Sequence, residues 1–369
     1  MSWTDTDRRW MLEALELAAR GVAQASPNPL VGAVVVDAEG RKVGEGFHTY
    51  EGVKHAEALA LEQAGVAARG GTLYVTLEPC SHYGRTAPCA DAVVESGVAR
   101  VVCPLEDENP QVQGGGFDKL RAGGVEVEIA EELRGEAHRL NEAFFHYIRT
   151  GTPFVTLKTA ATLDGKIAAP DDNSGWITSE TARAHVQKIR HAHDAILTGI
   201  GTVLQDDPQL TDRSGLPRRR PLLRIIADSL CRLPLESKLV ESFQDDLVIV
   251  TTSAAVPKRR EALEQRGIPV YVMDAARGRV DLRAVVDWLG KQHMTSLMIE
   301  AGAKLNWAAL DEEIVNKLLI YYAPKILGGL DSLPMAGGVG RRSRSGAIQL
   351  HGLRTFMVGP DEFAVEAYT

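Results

Sequence analysis

The sequence predicts a chain of two α/β domains, and three observations carry that reading. The length of 369 residues exceeds what a single hydrophobic core normally supports. Helical and strand patterns alternate along both halves. Between the halves, Thr150-Gly151-Thr152-Pro153 punctuates the chain just before a new apolar run, which places the domains over 1–147 and 151–369.

An amphipathic helix from Asp7 to Arg20 opens the first half, with Met11, Leu12 and Leu15 as its core-facing stripe. A strand at Val31 to Val36 follows, then a helix from Ala56 to about Ala64 and an apolar, β-branched strand from Leu73 to Leu77. Ala90 to Gly97 reads as a helix ended by its glycine. A strand at Arg100 to Cys103, a helix at Phe117 to Ala122 and a strand at Val125 to Ile129 complete a layered domain ending near Tyr147. The second half begins with a strand at Phe154 to Lys158 and a helix at Ser179 to His193. Strands at Ala195 to Leu197, Leu222 to Ala227 and Leu247 to Val250 come next, then a helix at Leu282 to Gly290, a strand at Ser296 to Glu300 and strands in the tail. No internal repeat or low-complexity tract interrupts this order.

The chemistry is concentrated in the first half, in His55-Ala56-Glu57 followed by Pro79-Cys80 and Pro88-Cys89. One imidazole and two thiolates suit tetrahedral zinc, and a catalytic site leaves the fourth position to water. His55, Cys80 and Cys89 are therefore the candidate ligands. The metal would convert its water to hydroxide near neutral pH, and Glu57 would move the proton instead of ligating. H-x-E followed by P-C-x-x-C is the signature of zinc deaminases. Here eight residues, Ser81 to Pro88, stand between the cysteines where a nucleoside deaminase has two. The cysteines bracket a strand-to-helix loop and His55 opens another helix, so the metal would lie in the positive field of two helix N-termini.

Composition excludes several other classes. A net charge of -8 argues against broad nucleic-acid binding, which depends on lysine and arginine against phosphate. No apolar run reaches membrane-spanning length and the N-terminus lacks a signal-peptide pattern, so a cytoplasmic protein is expected. Cys103 and Cys231 suggest neither pairing nor secretion, and Cys103 reads as a small buried residue of a strand. Arg218-Arg219-Arg220 reads as a solvated loop, and Gly114-Gly115-Gly116 as a flexible loop ending. Thr198 to Val203 follows a strand, but Leu204 stands where a G-x-G-x-x-G fingerprint has its third glycine, so a Rossmann domain is weakly supported. Glu300 to Leu305 also joins a strand to a helix, and is equally a tight connection or a phosphate-binding turn.

Longer motifs carry a family resemblance. In the first half they are Ser26-Pro27-Asn28-Pro29-Leu30-Val31-Gly32, His55-Ala56-Glu57, the run from Thr76 to Cys89, and Asp107-Glu108-Asn109-Pro110. In the second they are Lys158 to Lys166, Gly175 to Ser179, Gly201 to Thr211, and Ala323-Pro324-Lys325. With these motifs spread over nearly its whole length, the chain resembles the bifunctional riboflavin-biosynthesis deaminase/reductases. Ala87 stands where that family usually has proline, which affects loop stiffness and no ligand.

The resemblance implies a three-layer, cytidine-deaminase-like N-terminal domain and a dihydrofolate-reductase-like α/β C-terminal domain. It implies zinc-dependent hydrolytic deamination of a phosphorylated pyrimidine, a diaminopyrimidinone ribosyl phosphate, and NADPH reduction of the ribosyl chain to ribityl. A dihydrofolate-reductase-like sheet binds its dinucleotide without the full glycine fingerprint. Residue by residue, it implies His55, Cys80 and Cys89 as zinc ligands, Glu57 as the proton shuttle, and Asn28 and His82 as pyrimidine contacts. It implies Ala160, Trp176, Thr202, Asp206, Ser229 and the run Gly302, Ala303, Lys304, Leu305, Asn306, Trp307, Ala308 at NADPH. Lys158, Ser174, Arg190, Leu210, Arg213 and Glu300 fall at substrate positions, where Arg190 and Arg213 can pair with the sugar phosphate. His185, His191 and His193 are read as surface or structural. A homo-oligomer, with no nucleic-acid or membrane partner, is expected. Two alternatives stay open: a deaminase whose second domain only binds substrate or a partner, and a zinc-stabilised RNA-binding or scaffold module, against which the acidic balance and Glu57 both count.

Overall fold

A computed structural model describes residues 3–83, 87–109, 113–171 and 175–369 of the chain. The chain divides into two compact units, one of the residues up to Gly151 with Pro217–Arg220, the other of Thr152–Leu216 with Pro221–Thr369.

The first unit opens with α1 (Asp5–Ala19), capped reciprocally: the Thr4 hydroxyl accepts the Asp7 N–H, and the Asp7 carboxylate accepts the Thr4 N–H. Next come β1 (Gly32–Val36), β2 (Lys42–Phe47), α2 (Ala56–Ala64), β3 (Thr72–Val75), α3 (Cys89–Ser96) and β4 (Arg100–Cys103). The unit ends with α4 (Gly115–Ala122), β5 (Glu126–Ile129) and α5 (Arg134–Thr150). The sheet order is β2-β1-β3-β4-β5, in which β3, β4 and β5 are parallel and β1 is antiparallel to both neighbours. Side chains alternate across it. Val34, Val36, Tyr74 and Val102 pack with Trp10, Met11 and Ala14 of α1. Ala33, Val35, Leu73, Val75, Val101 and Cys103 pack on the other face with Ala60, Ala90, Val93 and Phe117. The product is the expected three-layer arrangement.

Two elements of the first unit escape the sequence reading. In β2 the glycines hide the strand, yet they are what lets α2 settle on it: a Cβ on Gly44 would stand 2.1 Å from the Ala60 carbonyl oxygen, and one on Gly46 2.6 Å from that of Ala56. In α5 the buried positions are Ala137, Asn141 and Phe145, a stripe too narrow and polar to register as an apolar face. This helix carries the unit past Tyr147 to Thr150, where Gly151 closes it in the left-handed region (φ 73).

Two loop readings are corrected. Gly114-Gly115-Gly116 is not a flexible ending but the tight start of α4, where a Cβ on Gly116 would lie 1.9 Å from the Pro79 carbonyl oxygen. Arg218-Arg219-Arg220 is not a solvated loop. The Arg219 guanidinium lies over the Tyr50 ring at 3.8 Å and donates to the Ser26 carbonyl and to Glu51, both at 2.9 Å.

The second unit contains β6 (Phe154–Thr162), β7 (Lys166–Ala168), α6 (Glu180–His191), β8 (Ala195–Gly199), α7 (Ile200–Asp206) and β9 (Leu223–Ala227). It continues with α8 (Lys238–Glu241), β10 (Leu247–Thr251), α9 (Pro257–Glu264), β11 (Val270–Val272) and the small pair β12 (Ala275–Ala276) and β13 (Arg279–Val280). Then follow α10 (Leu282–Lys291), β14 (Ser296–Ile299), α11 (Ala303–Asp311), β15 (Lys317–Ala323), β16 (Leu333–Pro334), β17 (His351–Met357) and β18 (Phe363–Tyr368). The main sheet runs β11-β10-β9-β8-β14-β6-β15-β18-β17, parallel from β11 to β15 and antiparallel at β18 and β17. Its central strands are buried on both faces, by α10 and α11 on one side and by α7 and α9 on the other. From β8 the chain winds outward to β11, then returns to insert β14 between β8 and β6. That reversal opens a crevice at the carboxyl ends of β8 and β14, where α/β sheets bind ligands.

Candidate active sites

The first site is assembled at two helix N-termini. His55 is the N-cap of α2 and Cys89 the first residue of α3, while Cys80 enters shortly after β3. The three donor atoms lie within 4.8 Å of one another, with His55 Nδ1 3.2 Å from Cys89 Sγ and 3.6 Å from Cys80 Sγ. Tetrahedral zinc with bonds of about 2.0 to 2.3 Å sets its donors roughly 3.5 Å apart, so these residues fit the metal. The Cys89 N–H points at Cys80 Sγ from 3.4 Å. Hydrogen bonding to Cys89 pulls the Cys80 thiol below its ordinary range against the cost of burial, with His55 and the Cys89 N–H contributing. Glu57, in the first turn of α2, is buried, and burial raises its carboxyl above the ordinary range while His55 opposes the rise. A carboxyl raised in this way exchanges a proton near neutral pH more readily than an exposed glutamate.

A groove of about 360 Å³ opens beside His55 and Cys89, lined also by Lys54, Glu62, Tyr83 and Asp91. Asn28 is half-buried, and its Nδ2 lies 2.9 Å from His48 Nε2. His48 is the residue that sequence reasoning missed. It is buried, its Nδ1 lies 3.0 Å from the Lys54 carbonyl, and its ring meets that of His55 edge-on at 5.3 Å. A carbonyl only accepts, so Nδ1 carries the proton and Nε2 accepts from the Asn28 amide, which fixes how that amide faces. A lone histidine after a glycine-rich strand gives no such signal in sequence. His82 is exposed.

Glu78, two residues before Cys80, is buried and accepts four backbone N–H groups: Gly116 at 2.8 Å and Phe117 at 3.1 Å on Oε1, Asp107 at 3.0 Å and Gly114 at 3.1 Å on Oε2. One carboxylate thus ties the approach to Cys80 to the start of α4.

In the second unit, Lys158 Nζ and Arg190 Nη2 each lie 2.9 Å from the Glu300 carboxylate, so three of the expected substrate residues form one cluster. Burial alone would raise the Glu300 carboxyl; Lys158 and Arg190 overcome it and hold it at about 2. Arg190 also donates to the Thr211 carbonyl at 3.2 Å. Leu210 is buried with φ 56, and Arg213 is exposed with no ion pair among the described residues. Ser174 lies outside the described residues. Of the histidines beside Arg190, His185 meets the Tyr321 hydroxyl at 2.8 Å, and His191 and His193 are buried, so none of the three is a simple surface residue.

The residues expected at the dinucleotide gather where the crevice opens. Thr202 and Asp206 lie on α7 after β8, Ser229 follows β9, and Gly302 is the N-cap of α11 after β14. Between the two turns there is room: a Cβ on Gly302 would find only Thr202 Oγ1, at 3.8 Å, and one on Gly201 nothing within 4 Å. Thr198 Oγ1, at the end of β8, and Asn306 Oδ1, on α11, are buried without hydrogen-bond partners among the described residues. Open space at the N-terminus of α11, with free backbone donors and orphaned polar atoms close by, fits a dinucleotide phosphate. Ala303 and Asn306 are buried, Lys304 is exposed, and Leu305, Trp307 and Ala308 are half-buried along α11. Ala160 lies on β6, and Trp176 is exposed with its carbonyl held by Lys325 at 2.8 Å.

Comparison with known proteins matches both units. Residues 4–105 match the cytidine and deoxycytidylate deaminase zinc-binding region, and residues 153–361 the RibD C-terminal domain. The riboflavin biosynthesis protein RibD of Actinobacillus pleuropneumoniae is 41% identical over 358 residues, 97% of this chain and 94% of the relative. That of Escherichia coli strain K12 is 40% identical over 370 residues, covering 96% and 97%. The solved structure of Acinetobacter baumannii RibD superposes with a TM-score of 0.84 at 36% identity, covering 98% of each chain. The Thermotoga maritima diaminohydroxyphosphoribosylaminopyrimidine deaminase/5-amino-6-(5-phosphoribosylamino)uracil reductase gives 0.82 at 34%, again covering 98% of each.

Proposed function

The chain belongs to the family of bifunctional riboflavin-biosynthesis deaminase/reductases, and from that membership we propose how its own residues divide the two reactions. It is a zinc-dependent deaminase and an NADPH-dependent reductase of that pathway, so the reading with a redox-inactive second domain and the RNA-binding alternative both give way.

In the first unit His55, Cys80 and Cys89 hold zinc, and Glu57 takes a proton on its carboxylate and delivers it to the departing amino group. Asn28, oriented by His48, and His82 hold the ring of the diaminopyrimidinone ribosyl phosphate. In the second unit Thr202, Asp206, Ser229 and the run Gly302 to Ala308 receive the dinucleotide, with Ala160 and Trp176 beside it. Glu300 fixes Lys158 and Arg190 at the ribosyl chain; Leu210 shapes that end of the site and Arg213 meets the phosphate, with Ser174 assigned there from the motif alone. When bound, zinc supplies a Lewis acid that makes water a nucleophile near neutral pH, and NADPH supplies the two-electron reductant. A cytoplasmic homo-oligomer acting on small molecules, without nucleic acid, completes the proposal. Among the described residues no helix is long and apolar enough to cross a membrane.

The observation that carries the deaminase assignment is the set of three convergent donors with a buried carboxyl, Glu57, two residues from His55 in the first turn of α2. Glu57→Gln tests it. The amide keeps the shape but cannot take the proton, so zinc content stays at wild type, deamination falls by about a hundredfold or more, and reduction of pre-deaminated substrate continues. Near-normal deamination in that variant removes Glu57 from the mechanism.

A further inference from the structure

In the second unit, three consecutive residues of one segment are each held by a different side chain of α6. Arg190 Nη1 donates to the Thr211 carbonyl at 3.2 Å, His191 Nδ1 lies 2.8 Å from Asp212 Oδ2, and the Arg213 N–H donates to Gln187 Oε1 at 2.9 Å. The segment is fastened on both sides of these. Arg224, which has no solvent exposure, donates to the Gln209 carbonyl at 2.9 Å, Leu210 is buried, and the Ser214 N–H donates to Asp212 Oδ1 at 2.9 Å. What this anchoring presents is Arg213, exposed and without an ion pair among the described residues.

The pair of His191 and Asp212 is the buried part of the clamp, with side chains only 5% and 7% exposed. A carboxylate can only accept, so Nδ1 of His191 carries a proton toward it whether the ring is neutral or charged. Removing His191 would take a charge-assisted hydrogen bond from a buried carboxylate, so the pair holds the segment to α6 more firmly than an exposed contact could. An arginine that must meet a phosphate loses considerable side-chain freedom on binding, and a backbone already fixed on both sides reduces what remains to be ordered.

We propose that His191 and Asp212 are positioning residues of the reductase, which hold Arg213 where it meets the phosphate of the reductase substrate. This rests on the assignment of Arg213 to that phosphate made above. It calls for no group beyond those in the chain, and neither residue takes part in the chemical step.

The test uses the full chain, NADPH and the deaminated pyrimidine ribosyl phosphate under steady-state conditions. His191→Ala and Asp212→Asn should each raise the reductase KM for that substrate roughly tenfold, with kcat within about twofold. NADPH affinity and deaminase turnover should stay at wild type. His191→Asn places an amide N–H close to where Nδ1–H stood, and should bring KM back to within about threefold. If His191→Ala does not accumulate as folded protein, Asp212→Asn reads the same effect with a neutral partner for the ring. In an Arg213→Ala background, His191→Ala should add no further rise, because both changes remove one contact. An unchanged KM in the pair variants while Arg213→Ala raises it, or a loss confined to kcat, overturns the positioning role. So does a full tenfold rise added on top of Arg213→Ala. A wild-type KM in Arg213→Ala overturns the phosphate assignment itself, and with it the role of the pair.

Discussion

His55 Nδ1 and Cys89 Sγ stand 3.2 Å apart although 34 residues separate them. Each sits at the N-terminal turn of its own helix, so their distance is set by how α2 and α3 pack on the sheet and not by either loop. Cys80, arriving after β3, then needs only the loop approach that Glu78 secures.

The purified protein should therefore carry about one zinc per chain, and Cys80→Ser or Cys89→Ser should lose both metal and deaminase activity, since thiolates supply much of the affinity. Metal analysis by mass spectrometry decides it. Stoichiometric zinc in the doubly substituted protein would remove these cysteines from the ligand set.

Gly116→Ala should act on the same site from α4. Its Cβ would lie 1.9 Å from the Pro79 carbonyl oxygen, so α4 must shift away from the segment leading into Cys80 and disturb the bonds to Glu78. A cost of about 1 to 3 kcal/mol in the first unit is expected from overpacking, with lower zinc occupancy and intact reduction. Urea unfolding with parallel assays checks this, and unaltered stability would show that the contact relaxes freely.

Acid should unlock the first unit through Asp7. Burial by itself would raise its carboxyl, but hydrogen bonds from Arg100, Thr4 and Tyr74 outweigh burial and hold it at about 2, below its ordinary value of 3.8. Because the folded value is the lower one, the stabilisation is fully present above the unfolded carboxyl's range and is lost as pH falls from about 4 through about 2. Asp7→Asn should lower the Tm near neutral pH, and the gap to wild type should narrow between pH 5 and pH 2. A gap independent of pH would show that packing, not ionisation, accounts for it.

Gly302→Val should weaken NADPH binding by about tenfold or more while deamination and folding persist. The new side chain has room, with only Thr202 Oγ1 within 4 Å of its Cβ, but that room is the space assigned to the dinucleotide at the start of α11. Titration of NADPH fluorescence gives the Kd directly. A wild-type value would move the cofactor elsewhere on the crevice.

Most of the layout was legible in advance. The His55 helix and the Arg100 strand have the expected bounds, because a run of strong helix formers and a β-branched run both declare themselves over a few neighbouring residues. β2 and α5 did not, since glycines needed for close helix packing and a polar-looking stripe erase the periodic signal locally.

The sequence by itself determined the reaction chemistry of the first unit: His55, Glu57, Cys80 and Cys89 are the right residue types in the right order, and a motif is a property of neighbours along the chain. Only the tertiary structure decided what holds those residues and their counterparts in place. Glu78 collects the N–H groups of Asp107, Gly114, Gly116 and Phe117; His48 turns toward Asn28; His191 closes on Asp212; and Arg219 lies over Tyr50. Each of these partnerships joins segments 20 or more residues apart in sequence, whose local composition is ordinary. A buried hydrogen bond or ion pair exists only once the sheet and helices have removed both groups from water together, and nothing in the pattern of either segment alone can specify that event.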